Sequence, residues 1–356
     1  VGDTGFGETY QAQRERRTGN NILKDYGYAY PLQNFATMLS ESDLVVANLE
    51  TPLTDAPSSP FAGKKKYVHW GDPQKTPAAL LDHNIKVVTL ANNHTFDYGA
   101  SGFEQTLDVL ARHDINAIGG GSNEREATAP LLVESRLEIS QFRMAVFSTF
   151  DANRRYRDTF SQAATSQSGG LDLFNARRLA DRINEIKQWD PKTFVVVCPH
   201  WGQNYAWRTD KQKRGAETML EGGADLILGH GAHMLQEIER HQNRWVIYSI
   251  GNFVFNSPGR YAKKSAPPFS LIAQLVVLPD GGGLRLVLRL YPILTDNRTT
   301  QYQGRFVTEA ELEHVYQLLI ERSGEPQMLR KWVRRGHDFH GRFFELFVAR
   351  RDSHHQ

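Results

Sequence analysis

One cysteine stands among 356 residues, so no disulfide can close within the chain. Cys198 sits inside an apolar run and reads as a buried thiol; the lack of disulfides leaves the compartment open. Long hydrophobic runs are missing too, since no stretch approaches the roughly 18 apolar residues of a membrane span. No signal-peptide pattern opens the chain. Val1-Gly2-Asp3 instead reads as the end of a strand that starts upstream, behind a leader or anchor. That suits an extracytoplasmic protein, periplasmic or at the cell surface, with the cytoplasm as the other setting. An excess of one charge is also absent: the net charge is +2, which gives no reason to expect a nucleic-acid partner. Basic residues do cluster locally at Lys64-Lys65-Lys66 and over residues 330–351, where a solvated face is the ordinary reading.

A hydrophobic content of 40%, with 11% aromatic residues, is that of a globular chain with a sizeable core, arranged as one large or two ordinary domains. Short apolar stretches recur and end on metal-binding residue types: Gly2-Asp3, Asn48-Leu49-Glu50, Asn92-Asn93-His94, His200-Trp201-Gly202, His230-Gly231-Ala232-His233 and Gly251-Asn252. Such runs read as buried strands, and in layered α/β proteins strand ends gather at one rim. The pattern therefore points to a metal-dependent hydrolytic site.

Helical spacing separates the strands, giving an α/β fold. Helices are expected over residues 31–40, 76–83, 175–189 and 210–221. Ser101 to Glu104 matches a capping box that opens a helix at Ser101, and Thr308 with Glu311 matches a second. Residues 151–170 read as a long loop. Residues 270–278 and 284–292 read as a hairpin turning at residues 279–283. Residues 1–300 are expected to form the main domain, with 301–356 a helical, basic extension packed on it. There is no internal repeat.

A divalent ion lowers the pKa of its bound water from 15.7 to about 7, and needs oxygen and neutral imidazole ligands to be held. Taken alone, a His-x-x-His pair is most often two surface histidines. His230 and His233 differ because they follow a strand and enclose small residues that allow a sharp turn; His337 and His340 lack both features. Asn93 beside His94 suits a metal ligand next to a general acid, with a turn as the ordinary alternative. His200 is equally a core histidine or a ligand. Asp3 and Glu50 are the anionic members, with capping or turn roles as their alternative.

In order and spacing these blocks resemble the CapA family of capsule and poly-γ-glutamate synthesis proteins, within the calcineurin-like metallophosphoesterase superfamily. The matching text runs from Gly2-Asp3 through Asn48 to Leu53, Leu90 to His94 with Asp97, Pro199 to Gly202, Gly229-His230 with His233, and Tyr248 to Phe253, covering roughly residues 1–295. The resemblance implies a four-layer sandwich of two packed β-sheets flanked by helices. It implies Asp3, Glu50, Asn93, His200, His230 and His233 as ligands for one or two divalent ions, with Mn, Fe or Zn expected. His94 would be the general acid, oriented by Asp97. Asn48, Asn92, Trp201 and Asn252 would lie on the substrate side, with Lys65 and Arg155 contacting an anionic chain. Two departures stand out. No His follows Asp3 in Asp3-Thr4-Gly5, and Glu50 replaces the usual bridging Asp.

The leading expectation is a metal-dependent hydrolase acting on an anionic envelope polymer or a phosphoester. The alternatives are a non-catalytic component that binds or exports polymer within a membrane synthase complex, and a phosphodiesterase or nuclease.

Overall fold

The computed structural model describes residues 1–137, 140–281 and 283–351. Two sheets carry helices on their outer faces. The first is parallel throughout, in the order Asn252–Phe255, Asp3–Gly5, Val45–Leu49, Ile85–Thr89, Asn116–Ile118. Helices Ala36–Ser40, Lys75–Asp82 and Gly99–Arg112 bury Leu39, Leu80 and Leu110 in the same core as Val45, Ala47 and Val88.

The second sheet runs Ile238–His241, Arg244–Ile247, Leu226–Leu228, Phe194–His200, Ser140–Phe150, Leu131–Leu137, parallel at its centre and antiparallel at both edges. Its central strand is buried along its whole length, which is why its sequence is almost continuously apolar. Val195 and Val197 face helices Ala176–Trp189 and Asp210–Glu221, while Phe194, Val196 and Cys198 point the other way. A cleft of about 370 Å³ between the sheets is lined by Ala47 and Asn48 from one and by Val146, Val196 and Cys198 from the other. The result is the four-layer α/β sandwich of the metallophosphoesterase type.

The hairpin forms as Phe269–Asp280 against Gly283–Leu294; Gly282, in its expected turn, lies outside the described residues. It seeds a third, antiparallel sheet completed by Arg342–Arg351 and Val333–His337. The segment after residue 300 is thus helical only in part: helices Glu309–Arg322 and Pro326–Trp332 are followed by these two strands. Arginines at both ends of the strand Arg342–Arg351 make the tail read as basic and mask the alternation of Phe344, Leu346 and Val348, all three of which enter the core against the second sheet. Residues 352–356 of the expected extension lie outside the described residues.

The Thr308–Glu311 capping box is present, but the one at Ser101 is not. That helix starts at Gly99, because the turn through Asp97 and Tyr98 already leads into helical bonding, with Gly102 N–H donating to Tyr98 O at 3.3 Å. The loop over residues 151–170 contains one short π-helical turn, Tyr156–Phe160.

Candidate metal centre

Asp3, Asn48 and Asn252 stand abreast on three adjacent parallel strands. Glu50 follows the strand Val45–Leu49, and Asn92 to His94 follow Ile85–Thr89. From the second sheet, His200 ends its strand and bridges to His230. Asn252 reaches the same point by a different route. The strand Arg244–Ile247 stops short, and the chain crosses between sheets at Gly251 (φ 73°), so that Asn252 opens a first-sheet strand. A Cβ at 251 would lie 2.5 Å from Ser270 Oγ, so a glycine is needed for the crossing.

The donors converge. His233 Nδ1 is 3.3 Å from Asp3 Oδ2 and 4.0 Å from Glu50 Oε2. Asp3 Oδ1 is 3.8 Å from His230 Nδ1 and 4.0 Å from His200 Nδ1. Glu50 Oε1 is 3.9 Å from both His200 Nε2 and His94 Nε2. All are buried. Asp3 Oδ2, both Glu50 oxygens, Asn93 Oδ1 and His230 Nδ1 have no hydrogen-bond partner. Buried polar atoms are almost always paired, so the orphans of Asp3, Glu50 and His230, gathered around Asp3, call for a ligand. The atoms of Asp3, Glu50 and His233 lie within 4.8 Å of one another, close enough to share one ion. Oxygen and imidazole donors in this mixture fit a divalent cation.

The same crowding of groups sets their protonation in the metal-free protein. Burial and the charge of Asp3 push Glu50 well above the ordinary carboxylate range. Burial works on Asp3 in the same direction, but His233, His200 and His230 outweigh it and hold Asp3 at about 2. Burial lowers His200 to about 4 and His230 to about 3, which keeps both as the neutral imidazoles that bind metals. His233 goes to about 9 against its burial, because Glu50 and Asp3 both face it.

His94 and Asp97 form a second unit. His94 Nδ1 donates to Asp97 Oδ2 at 2.6 Å, which turns Nε2 toward Glu50. Asp97 also accepts from His69 N–H at 2.6 Å and from the Lys65 ammonium. His69, His94 and Asp97 could geometrically enclose an ion. The oxygens of Asp97 are already taken by donors, however, so the unit is an orienting relay. His69 stacks on His94 with ring centroids 3.7 Å apart, and its Nε2 is 3.0 Å from the Tyr10 hydroxyl. Nothing local in the chain marks His69, a lone histidine away from any strand end.

Several residues expected on the substrate side are spent on scaffolding. Asn48 Nδ2 donates to Asp3 Oδ1 at 2.8 Å and lies 3.2 Å from His200 Nδ1, while its oxygen accepts from Thr89 and Asn92. Asn92 Oδ1 accepts from the N–H groups of His94 and Thr95 and so shapes the turn. Trp201 is packed in the helix-facing core and donates to Tyr248 O at 2.8 Å. Lys65 is buried against Asp97 and Asn93 O, because Asp97 needs its charge. Asn252 Oδ1 lies 2.9 Å from His233 Nδ1, and its Nδ2 donates to the Tyr261 hydroxyl. Arg155 is exposed and donates to Lys64 O at 3.0 Å, tying two loops together.

Fold and centre together define an α/β sandwich of the metallophosphoesterase type, built around a buried carboxylate–imidazole cluster. Residues 1–257 match the family described as bacterial capsule synthesis protein PGA_cap, and the chain belongs to that family. It is 30% identical over 250 residues to the capsule biosynthesis protein CapA of Bacillus anthracis, covering 69% of this chain and 58% of that protein. It is 28% identical over 267 residues to the PGA biosynthesis protein CapA of Bacillus subtilis, covering 75% and 65%. A probable polyglutamine synthesis accessory protein of Mycobacterium tuberculosis is 26% identical over 288 residues, covering 78% and 71%. The chain therefore spans less than two thirds of the two Bacillus proteins. No helix among its described residues is long and apolar enough to cross a membrane.

Proposed function

We propose that the protein is a metal-dependent hydrolase acting on an anionic envelope polymer of the poly-γ-glutamate type. The observation that carries this reading is the set of unpaired, buried atoms of Asp3, Glu50 and His230, which lie close together where the two sheets meet. In this reading Asp3, Glu50, Asn93, His200, His230 and His233 hold one or two divalent ions of the Mn, Fe or Zn kind. A bound ion supplies an acidified water and polarises the oxygen of the scissile group. The chain itself does the rest. Asn48 and Asn252 fix Asp3 and His233, and Asp97 holds His94 by Nδ1 so that Nε2 can exchange a proton with the leaving group. Burial of the cluster strengthens each of these interactions by excluding water. The names of two relatives, a capsule biosynthesis protein and a PGA biosynthesis protein, support a role in making such a polymer; an extracytoplasmic setting beside a polymer synthase belongs to the same proposal.

The test is elemental analysis of protein purified without chelators, followed by a hydrolysis screen of γ-glutamyl peptides and aryl phosphodiesters. Stoichiometric transition metal, with metal-dependent cleavage that His94→Ala removes, is the expected result. Protein without such metal, or activity unchanged in His94→Ala, would sink the enzyme reading.

A further inference from the structure

A cavity of about 300 Å³ opens directly off the centre, with His94 and His233 in its lining. The loops over residues 64–66 and 154–157 do not border it. Its outer part is built by residues 257–263 and Arg298, a region the sequence motifs left without a role.

Arg260, Lys263 and Arg298 line this cavity against one carboxylate, Asp296. Asp296 is already engaged as a cap, accepting from the Arg298 N–H at 3.1 Å and from the Thr299 hydroxyl. No ion pair among the described residues neutralises any of the three cations. Lys263 and Arg298 are exposed, whereas Arg260 is half-buried. Arg260 is also the best anchored. The next residue, Tyr261, is buried, and its hydroxyl bonds to Asn252 Nδ2 at 3.0 Å and to His233 O at 2.9 Å. The backbone N–H of Arg260 reaches the Tyr205 hydroxyl. Two of the centre's own residues therefore anchor the backbone from which Arg260 projects.

A half-buried, unpaired guanidinium beside a metal-binding cluster is suited to a planar carboxylate, which it can grip with two parallel N–H bonds. Tyr10 and Tyr205 offer flat faces for the methylene and amide parts of such a ligand. The volume is at the low end for ligand sites, which limits the occupant to one or two amino-acid-sized units.

We propose that this cavity is the subsite for a carboxylate-bearing unit of the substrate, with Arg260 as its specificity-determining residue and Lys263 and Arg298 drawing the acidic chain to the mouth. The assignment rests on the hydrolase reading for its consequence, which is presentation of the adjoining bond to the centre. Its binding claim stands separately.

The experiment is calorimetric binding of a γ-linked tetraglutamate, a neutral tetraglutamine and a phosphoserine peptide to the metal-loaded protein, in wild type, Arg260→Ala and Arg260→Lys. Tetraglutamate should bind and tetraglutamine should not. Arg260→Ala should weaken binding at least tenfold with metal content and melting temperature unchanged, and Arg260→Lys should restore part of the loss. In hydrolysis Arg260→Ala should raise KM more than it lowers kcat. Equal binding by wild type and Arg260→Ala, equal binding of the neutral peptide, or tighter binding of the phosphopeptide would each overturn the subsite. Arg260-dependent binding without any cleavage would leave the subsite standing and remove the hydrolase reading.

Discussion

Oxygen donors come to the centre from the first sheet and imidazoles from the second, and the two sets are held by different means. On the oxygen side a side-chain network does the holding. Asn48 fixes Asp3 and meets Thr89 and Asn92, and Asn92 in turn pins the backbone of His94 and Thr95. On the nitrogen side the backbone does most of it. His230 N–H donates to Pro199 O at 2.9 Å and Trp201 N–H to His230 O at 3.0 Å, locking two strand ends together. Gly231 (φ 100°) and His233 (φ 59°) then turn through the left-handed region. A Cβ on Gly231 would stand 2.9 Å from His200 Nε2. The oxygen side should thus be sensitive to loss of polar atoms, and the nitrogen side to loss of backbone freedom.

The largest effect should come from removing what both sides share. Chelation should abolish hydrolysis and lower the melting temperature. Metal restored at a hundred times its Kd should return about 2.7 kcal/mol of stability, measured by denaturant titration. Unchanged stability on chelation would mean that the two sets of donors do not meet on an ion.

Next comes His94→Ala, which should reduce kcat by about 10²- to 10⁴-fold while bound metal is retained. Loss of metal along with activity would make His94 a ligand and place a nitrogen donor on the oxygen side.

Glu8 offers a contrast within the first-sheet half. Like Asp3 it is buried, but no histidine acts on it, and its Oε2 has no partner. Burial raises it from 4.5 to about 7, although the Asp72 N–H donates to it. Between these values the folded state holds a proton that the unfolded chain has lost, so stability should fall as pH rises from 4.5 to about 7. Glu8→Gln should remove that slope, gaining up to about 3 kcal/mol over wild type at pH 8 and little at pH 4. Equal gains at both values, in paired melts, would show that Glu8 does not titrate in this way.

The smallest effects compare the two supports directly. Asn48→Ala should weaken metal affinity by about 10- to 100-fold with the backbone intact. Gly231→Ala should instead cost about 1–3 kcal/mol of folding stability through its positive φ and the contact with His200. A reversal of these outcomes would invert the comparison.

Much of the centre could be read in the sequence, because a parallel strand buried on both faces must be apolar and must end where polar groups resume. That marks Glu50, Asn93, His200 and His230 without coordinates. Residues whose role depends on a partner far along the chain could not be read in this way. His69 matters because it stacks on His94, and Arg260 because Tyr261 is tied to Asn252 and His233. Lys65 sat in a basic run that looked like a solvated surface, yet its charge is buried against Asp97. The tail strands were hidden because Arg334, Arg335, Arg342, Arg350 and Arg351 make the segment read as a basic run.

By itself the sequence determined the layered α/β class and the family, and it marked most of the residues that gather at the centre, since periodicity and strand-end chemistry are local properties. The tertiary structure alone decided which of these residues face the centre and which are spent holding it. Trp201 and Asn48 have the same strand-end signature as His200 and Glu50, and what separates them is the direction in which packing turns each side chain. It also decided the charge states. A pKa in a buried cluster is set by the groups that folding brings within a few ångströms, and so Asp3 is drawn to about 2 while Glu8, also buried, rises to about 7.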